Sequence, residues 1–108
     1  MMPSLLSMLP SEYIQYLQQG ERTYGFTDLF CGYFQLEPLE SIVQLNTDFD
    51  IERSAPGFLL FGTNGGGELY AFDLRGAVFL IPAVVPTYED AIQICNSWAE
   101  FQVHIQID

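Results

Sequence analysis

Two apolar runs on either side of a glycine-rich turn, within residues 56–73, constrain the fold more than any other part of the sequence. The runs, 58–61 and 69–72, predict the strands of a β-hairpin, and Asn64-Gly65 can supply the positive φ angles that a tight turn needs. Both runs are nearly continuous in apolar residues, which is typical of strands in the middle of a sheet with both faces covered. The hairpin is therefore predicted to be the centre of the fold.

A third apolar run, 77–81, follows directly and extends the hairpin into a predicted meander from Phe58 to Ile81. The chain has 108 residues, of which 49 % are hydrophobic, and this is enough for one domain with a real core. We therefore expect residues 1–108 to form a single domain around the meander.

Helix signals precede the meander. Pro10, the hydroxyl of Ser11 and the early acid Glu12 predict the start of a helix, and Gly20 predicts its end. The segments that follow predict a loop, a short strand and a second helix, over residues 21–32, 33–36 and 38–45.

A last helix is predicted after the meander, capped by Thr87, with Asp90 in the position of a capping-box acid. Its apolar face follows helical spacing through Ala91, Ile94, Cys95, Trp98 and Phe101. The alternation over 103–107 leaves two possibilities open, a final edge strand or a continuation of this helix.

Polar and apolar residues also alternate over 46–52. If this segment is extended, one face carries the polar residues Asn46, Asp48, Asp50 and Glu52. The opposite face then carries Phe49 and Ile51. We expect a solvated acidic edge that can double as a docking surface for a basic partner. With two acids nearby in sequence, the candidate partner-binding set is Glu37, Glu40, Asp48, Asp50 and Glu52.

The charge balance is strongly acidic, because 14 acidic residues face three arginines and no lysine, for a net charge of −11. This argues against direct nucleic-acid binding, which needs a basic patch, and against docking on an anionic membrane. An acidic surface instead steers association with basic partners. The alternative, that the charge reflects only solubility or a salty habitat, stays open at this point.

Cys31 and Cys95 lack the spacing of metal ligands, and their apolar neighbours predict buried free thiols rather than a disulfide. The first ten residues are apolar, but they have no positive region and are broken by two prolines, so we expect no signal peptide. No stretch approaches the ~20 apolar residues of a membrane span. We therefore expect a cytoplasmic protein.

No catalytic, cofactor or metal motif stands out. Gly62 and Gly67 have the spacing of the two P-loop glycines, but Glu68 stands where that loop carries a lysine. A calcium loop beginning at Asp48 would need glycine at 53 and glutamate at 59, where the chain has arginine and leucine. The single histidine, His104, has no nucleophile placed for catalysis. We expect no catalytic residue, metal or cofactor, and we interpret the glycine turn as architectural.

Three sequence blocks are left to consider together. The first is a leucine-proline, acid and tyrosine opening over 9–17; the second is a strand and short helix ending in asparagine over 34–46. The third, over 56–73, is an apolar strand, a turn ending in Gly-Gly-Glu, and an aromatic strand with a closing aspartate. These blocks resemble the SUKH superfamily of Smi- and Knr-like domains, and the aromatic C-terminal segment with Trp98 and Phe101 is also similar to that family.

The resemblance implies an α+β fold, with a mostly antiparallel central sheet and helices packed on it, and no enzymatic activity. It also implies protein binding, because bacterial members resemble immunity proteins that neutralise a toxin, often a nuclease. Basic toxin surfaces would suit an acidic inhibitor. The residues of the family-like turn are implied to be structural: Gly62, Asn64, Gly65, Gly66, Gly67, Glu68 and Asp73.

Two alternatives remain. Eukaryotic relatives act as regulatory modules, so a regulatory or scaffold domain with an unrelated protein partner is the second hypothesis. An enzyme or small-ligand binder is the third, and it would need a concave pocket with converging polar groups.

Overall fold

The predicted hairpin is present near the middle of an antiparallel sheet whose strands follow one another in chain order. The structure, a computed structural model, describes residues 9–29, 32–84 and 88–105. Within those ranges the sheet has six strands: β1 (Tyr24–Phe26), β2 (Tyr33–Leu36), β3 (Leu59–Thr63), β4 (Glu68–Phe72), β5 (Val78–Pro82) and β6 (Ile92–Cys95). The α-helices are α1 (Ser11–Gln18), α2 (Leu39–Asp48), α3 (Ile51–Ser54) and α4 (Trp98–Ile105), and Tyr88–Asp90 form a short 3-10 helix. The predicted α+β class, a mainly antiparallel sheet with helices packed on it, is confirmed.

Both faces of β3 and β4 are buried, as their continuous apolar runs predicted. One face packs beneath α1 and α4, where the rings of Tyr13 and Trp98 meet edge to face at 4.8 Å. The opposite face packs against α3 through Ile51 and Ala55. Aromatic rings dominate the first of these cores, and its largest buried side chains are Tyr13, Phe34, Phe61, Tyr70, Phe72, Trp98 and Phe101.

One edge of β3 is shared between two partners. The C-terminal half of this edge pairs with β2. On the other edge of β3, the pairing with β4 shifts its register between Leu60 and Gly62, which marks a β-bulge. Only glycine fits at position 62, because a Cβ atom there would lie 2.5 Å from the carbonyl oxygen of Gln35. The chain then leaves the sheet after β2 and enters α2.

The N-terminal half of the same β3 edge is covered by α2 through Asn46. The Asn46 Nδ2 donates to the carbonyl of Leu60 at 3.0 Å, and its Oδ1 accepts from the Leu60 amide at 2.7 Å. Asn46 is only 2 % exposed, so its amide replaces a strand partner that the buried main chain would otherwise lack. This bond pair fixes α2 against the sheet.

Residues 46–52 are not extended, so the condition for a shared polar face on this segment is not met. The second helix, predicted to end at residue 45, continues to Asp48, and α3 follows after a two-residue connection. Leu45 and Phe49, four residues apart, both pack on the core that contains Ile51 and Ala55, because the alternating pattern also satisfies helical spacing. Asn46 is therefore buried and does not lie on an exposed polar face.

The helix predicted through 91–101 is wrong in its first half. Residues of β6 pair with β5, and α4 begins only at Trp98. The amide of Glu100 donates to the hydroxyl of Ser97 at 3.2 Å, which is the bond of an N-terminal helix cap. The predicted cap at Thr87 lies outside the described residues.

The two ends of the chain settle further predictions. Of the two possibilities for 103–107, a helix is observed as far as Ile105. α1 begins at Ser11 as predicted, but Pro10 occupies the cap position and no side chain caps the helix. The predicted strand over 33–36 is confirmed, whereas the predicted loop over 21–32 is wrong at 24–26, which form the edge strand β1.

Candidate protein-binding surface

The exposed side of α2 carries an acidic ridge. Glu40 and Asp48 are both exposed and lie eight residues apart on the helix, which corresponds to about 12 Å along its axis. Gln44 lies between them and donates from Nε2 to Asp48 Oδ1 at 2.7 Å. Two of the five predicted acids are thus brought onto one side of one helix.

Two more acids continue the ridge beyond the end of α2. Asp50 and Glu52 are exposed, and Asp50 adopts a positive φ of 50° in the connection to α3. Arg53 Nε lies 3.3 Å from Asp50 Oδ2, but these side chains are 86 % and 59 % exposed, so this ion pair contributes little to stability. The ridge therefore ends in two exposed acids, with the Arg53 guanidinium beside them.

The fifth acid, Glu37, lies before the other end of α2 and is half-buried. Its amide donates to the Phe61 carbonyl at 2.9 Å, and its own carbonyl accepts from the Tyr13 hydroxyl at 3.2 Å. Burial, and secondarily the charge of Glu37, raise the pKa of Tyr13 far above its usual range. The five acids therefore lie within α2 and shortly before and after it, and Asp48, Asp50 and Glu52 do not share a strand face.

The glycine-rich turn between β3 and β4 is organised by Asn64, which is 1 % exposed. Its Oδ1 accepts from the amides of Gly66 and Glu68 at 2.9 and 3.2 Å, and its Nδ2 donates to Glu68 Oε1 at 3.0 Å. The positive φ angles predicted for Asn64-Gly65 are found at Gly65 and Gly67, not at Asn64. The asparagine side chain closes this turn together with its own backbone amide, which donates to the Glu68 carbonyl at 3.1 Å.

The turn between β4 and β5 repeats the same pattern with Asp73. Its Oδ1 accepts from the amides of Arg75 and Ala77, two and four residues along the chain, both at 2.9 Å. Burial alone would raise the pKa of Asp73, but these amides and the Arg75 guanidinium lower it below its usual value. In each of the two hairpin turns, one side-chain oxygen thus accepts from two backbone amides.

A cleft of about 310 Å³ opens between the end of α1 and the start of α2. Leucines from both helices and from β2 line it, together with one proline and three exposed polar side chains at its mouth. The lining residues are Leu17, Gln18, Thr23, Leu36, Pro38, Leu39 and Glu40. Leu17 and Leu39 lie on the apolar sides of α1 and α2, and helical spacing alone predicts that such sides are buried. No sequence pattern shows that two such faces remain partly open beside an acid.

The edge strand β1 exposes two aromatic side chains that the sequence placed in a loop. Tyr24 and Phe26 are 65 % and 81 % exposed. Their partners in the register, Gln35 and Tyr33 of β2, lie on the same face of the sheet. This face is the one that α3 covers farther along the sheet.

Residues with reactive side chains are few in the described ranges. Cys95 is a buried free thiol, as predicted, and its pKa is raised to about 11 by burial and by the charges of Glu100 and Asp28; Cys31 lies outside the described residues. His104 Nδ1 lies 2.7 Å from Asp28 Oδ1 and ties α4 to the loop after β1. In residues 9–29, 32–84 and 88–105, no three potential ligands gather in a way that could hold a metal ion, and no helix has the length and apolar character needed to cross a bilayer.

The match to a family model agrees with this architecture. The model of the SMI1 / KNR4 family (SUKH-1) matches residues 5–102. The chain belongs to this family. Comparison with curated proteins gives no match.

The blocks that carry the SUKH-1 resemblance meet in the structure and contact one another. Tyr13 of the first block donates its hydroxyl to the carbonyls of Glu37 and Phe61 in the other two. Asn46 of the second block clamps Leu60 of the third. These contacts join the three blocks, whereas the acids of the ridge and the aromatic side chains of β1 are exposed.

Proposed function

We propose that this SUKH-1 domain is a non-enzymatic protein-binding module of the immunity type, which binds and neutralises a basic bacterial toxin domain such as a nuclease. The observation that carries the proposal is the exposed acidic segment that α2 and α3 present on a domain of this family. We further propose that the protein acts in the cytoplasm, where such a toxin would reach its substrate.

The electrostatics favour such a partner. With a net charge of −11 and only three cationic side chains, the protein creates a negative field around itself. A nuclease needs a basic surface for its phosphate substrate, so an acidic protein can occlude that surface and reach it quickly. The proposed contact residues are Glu37, Glu40, Asp48, Asp50 and Glu52.

The first experiment is co-expression with the open reading frame immediately upstream in the native genome, followed by purification of the complex. We expect a one-to-one complex, loss of the toxin's activity on binding, and survival of cells that carry both genes. If no toxin-like partner is recovered and no candidate toxin is neutralised, the proposal fails. Recovery of a regulatory or housekeeping protein would instead support the scaffold alternative.

The second experiment locates the surface by charge reversal. The double variant Glu40→Lys and Asp48→Lys changes the ridge, whereas Glu12→Lys and Glu89→Lys makes the same change of net charge at exposed acids elsewhere. We expect the ridge variant to lower the association rate constant by about tenfold and to flatten its salt dependence. An equal effect of the control variant would mean that net charge, and not the ridge, drives the encounter.

A further inference from the structure

The cleft between α1 and α2 combines an apolar lining with a single charged residue. Leu17 and Leu39 are partly buried against the aromatic core and leave part of their side chains facing the cleft. Leu36 and Pro38 complete the apolar lining of this space of about 310 Å³. Such a lining favours the aliphatic part of a long side chain, because burial of apolar surface is favourable.

The mouth of the cleft is polar and negative. Gln18 and Thr23 supply an amide and a hydroxyl, and Glu40 is the only charged residue among the described residues that line it. The Glu40 carboxylate forms no ion pair or hydrogen bond with the rest of the described chain. A carboxylate beside an apolar cleft is complementary to a cation carried on an aliphatic stem.

None of the described residues that line the cleft is a cation. Arg22 precedes Thr23 in sequence, but it lines a separate depression together with Tyr16, Glu21 and Ile105. Its Cδ lies near Gly25, at 3.2 Å from where a Cβ of that residue would be. Among the described residues, the negative mouth of the cleft is therefore left for a cation from outside.

We propose that this cleft accepts an arginine or lysine side chain of a basic protein partner. The stem lies along Leu17 and Leu39, and the cationic head meets the Glu40 carboxylate. Long cationic side chains pack their methylene stems on apolar surface while the head stays in a polar environment. Arginine is also among the residues that dominate interface energetics when they fill a pocket. The proposal rests on the proposed function and names the anchor point of the partner.

The test uses the whole protein, labelled with ¹⁵N, and small probes in place of the partner. N-acetylarginine amide and N-acetyllysine amide present the two cations, and N-acetylnorleucine amide presents an aliphatic stem alone. We expect saturating shift changes at the amides of Gln18, Thr23, Leu39 and Glu40 with the cationic probes. Norleucine amide should bind more weakly by about tenfold, because it lacks the charge-assisted hydrogen bond.

Matched variants separate the cleft from the general acidity. Glu40→Gln and Asp48→Asn remove the same charge from the same exposed ridge of α2, but only Glu40 lines the cleft. We expect Glu40→Gln to weaken binding of the cationic probes about tenfold and Asp48→Asn to change it less than twofold. In the same way, Gln18→Arg should block the cleft with a cation of the chain itself, whereas Gln93→Arg, at an exposed position of β6 at the other edge of the sheet, should not.

Equal effects of the two charge-removing variants, or shifts spread over all acidic residues, would overturn the cleft proposal. Absence of saturation at the cleft would do the same. These results leave the proposed function standing, because the toxin complex tests that function separately. Conversely, a cleft that binds the cationic probes in a protein that neutralises no toxin would overturn the proposed function alone.

Discussion

Asn46 and Asn64 are both almost completely buried, and both use their side chains to satisfy main-chain groups. Asn64 acts locally, because its Oδ1 accepts from amides two and four residues along the chain. Asn46 acts at long range, on both the amide and the carbonyl of Leu60, 14 residues away. One side chain shapes a turn, and the other joins a helix to the sheet.

The difference lies in what each main-chain group can do without its asparagine. Gly66, which donates to Asn64, is exposed, so water can replace that partner. Leu60 is 0 % exposed, so water cannot reach its amide or carbonyl without a rearrangement of α2. Because an unsatisfied buried polar group is costly, the two asparagines should differ in their contribution to the free energy of unfolding.

The largest effect is expected for Asn46→Ala. The variant leaves both polar groups of Leu60 buried without their partner, and it should lower the free energy of unfolding by about 2–4 kcal/mol. Urea denaturation at pH 7 measures the loss. Gln44→Ala is the matched control, because it removes an exposed amide from the same helix, and it should change stability by less than about 0.5 kcal/mol.

Asn46→Asp sharpens this comparison. A carboxylate can still accept from the Leu60 amide, but it cannot donate to the carbonyls of Leu60 and Ile42, which the present Nδ2 contacts. The aspartate variant should therefore be at least as unstable as the alanine variant at pH 7, and it should recover part of the loss at low pH. A fully stable aspartate variant would show that the donor half of the clamp is dispensable.

An intermediate effect is expected for Asn64→Ala. The amides of Gly66 and Glu68 lose their acceptor, but part of the turn reaches solvent, so the loss should be about 1–2 kcal/mol. Asn64→Asp keeps the acceptor but brings a second carboxylate beside Glu68 Oε1, where the Asn64 Nδ2 now lies at 3.0 Å. Because both amides keep their acceptor, Asn64→Asp should lower the free energy of unfolding by less than Asn64→Ala does, despite the repulsion between the two carboxylates. A loss for Asn64→Ala that equals the loss for Asn46→Ala would contradict the contrast between local and long-range roles.

The same contrast explains which parts of the fold the sequence predicted. The meander was predictable because its apolar runs and the Asn64-Gly65 turn act within a few residues of each other. The role of Asn46 was not predictable, since it depends on the part of the β3 edge that β2 does not pair with. The error over 46–52 has the same origin, because a short alternating pattern fits a strand and a helix equally well.

The C-terminal region was only partly predictable. Its apolar residues have helical spacing, but a strand and a helix divide them at Asn96-Ser97. The signal was present, because Ser97 and Glu100 have the spacing of a capping box immediately before Trp98. The acids of the ridge were predicted from their charge and from the alternation over 46–52, whereas the cleft depends on how α1 and α2 meet.

The smallest effect is expected for Asp73→Asn, which tests whether charge matters in the turn that repeats the Asn64 pattern. An asparagine can keep both amide contacts, but it loses the charge that the Arg75 side chain meets at 3.1 Å. The loss at pH 7 should be below about 1 kcal/mol, because the Arg75 side chain is 77 % exposed and the ion pair is therefore weak.

The pH dependence of Asp73→Asn gives a sharper result than its size. The pKa of Asp73 is lower in the folded protein than its usual value of 3.8, so its charged form stabilises the fold above that pH. This contribution is lost as the pH falls through the folded-state pKa, because the carboxyl is then protonated in both states. The difference in unfolding free energy between wild type and Asp73→Asn should therefore be constant from pH 7 to about 5 and shrink below about pH 4. A difference that stayed constant down to pH 2 would mean that the charge of Asp73 does not contribute to stability and that the Asp73 turn is closed by hydrogen bonding alone.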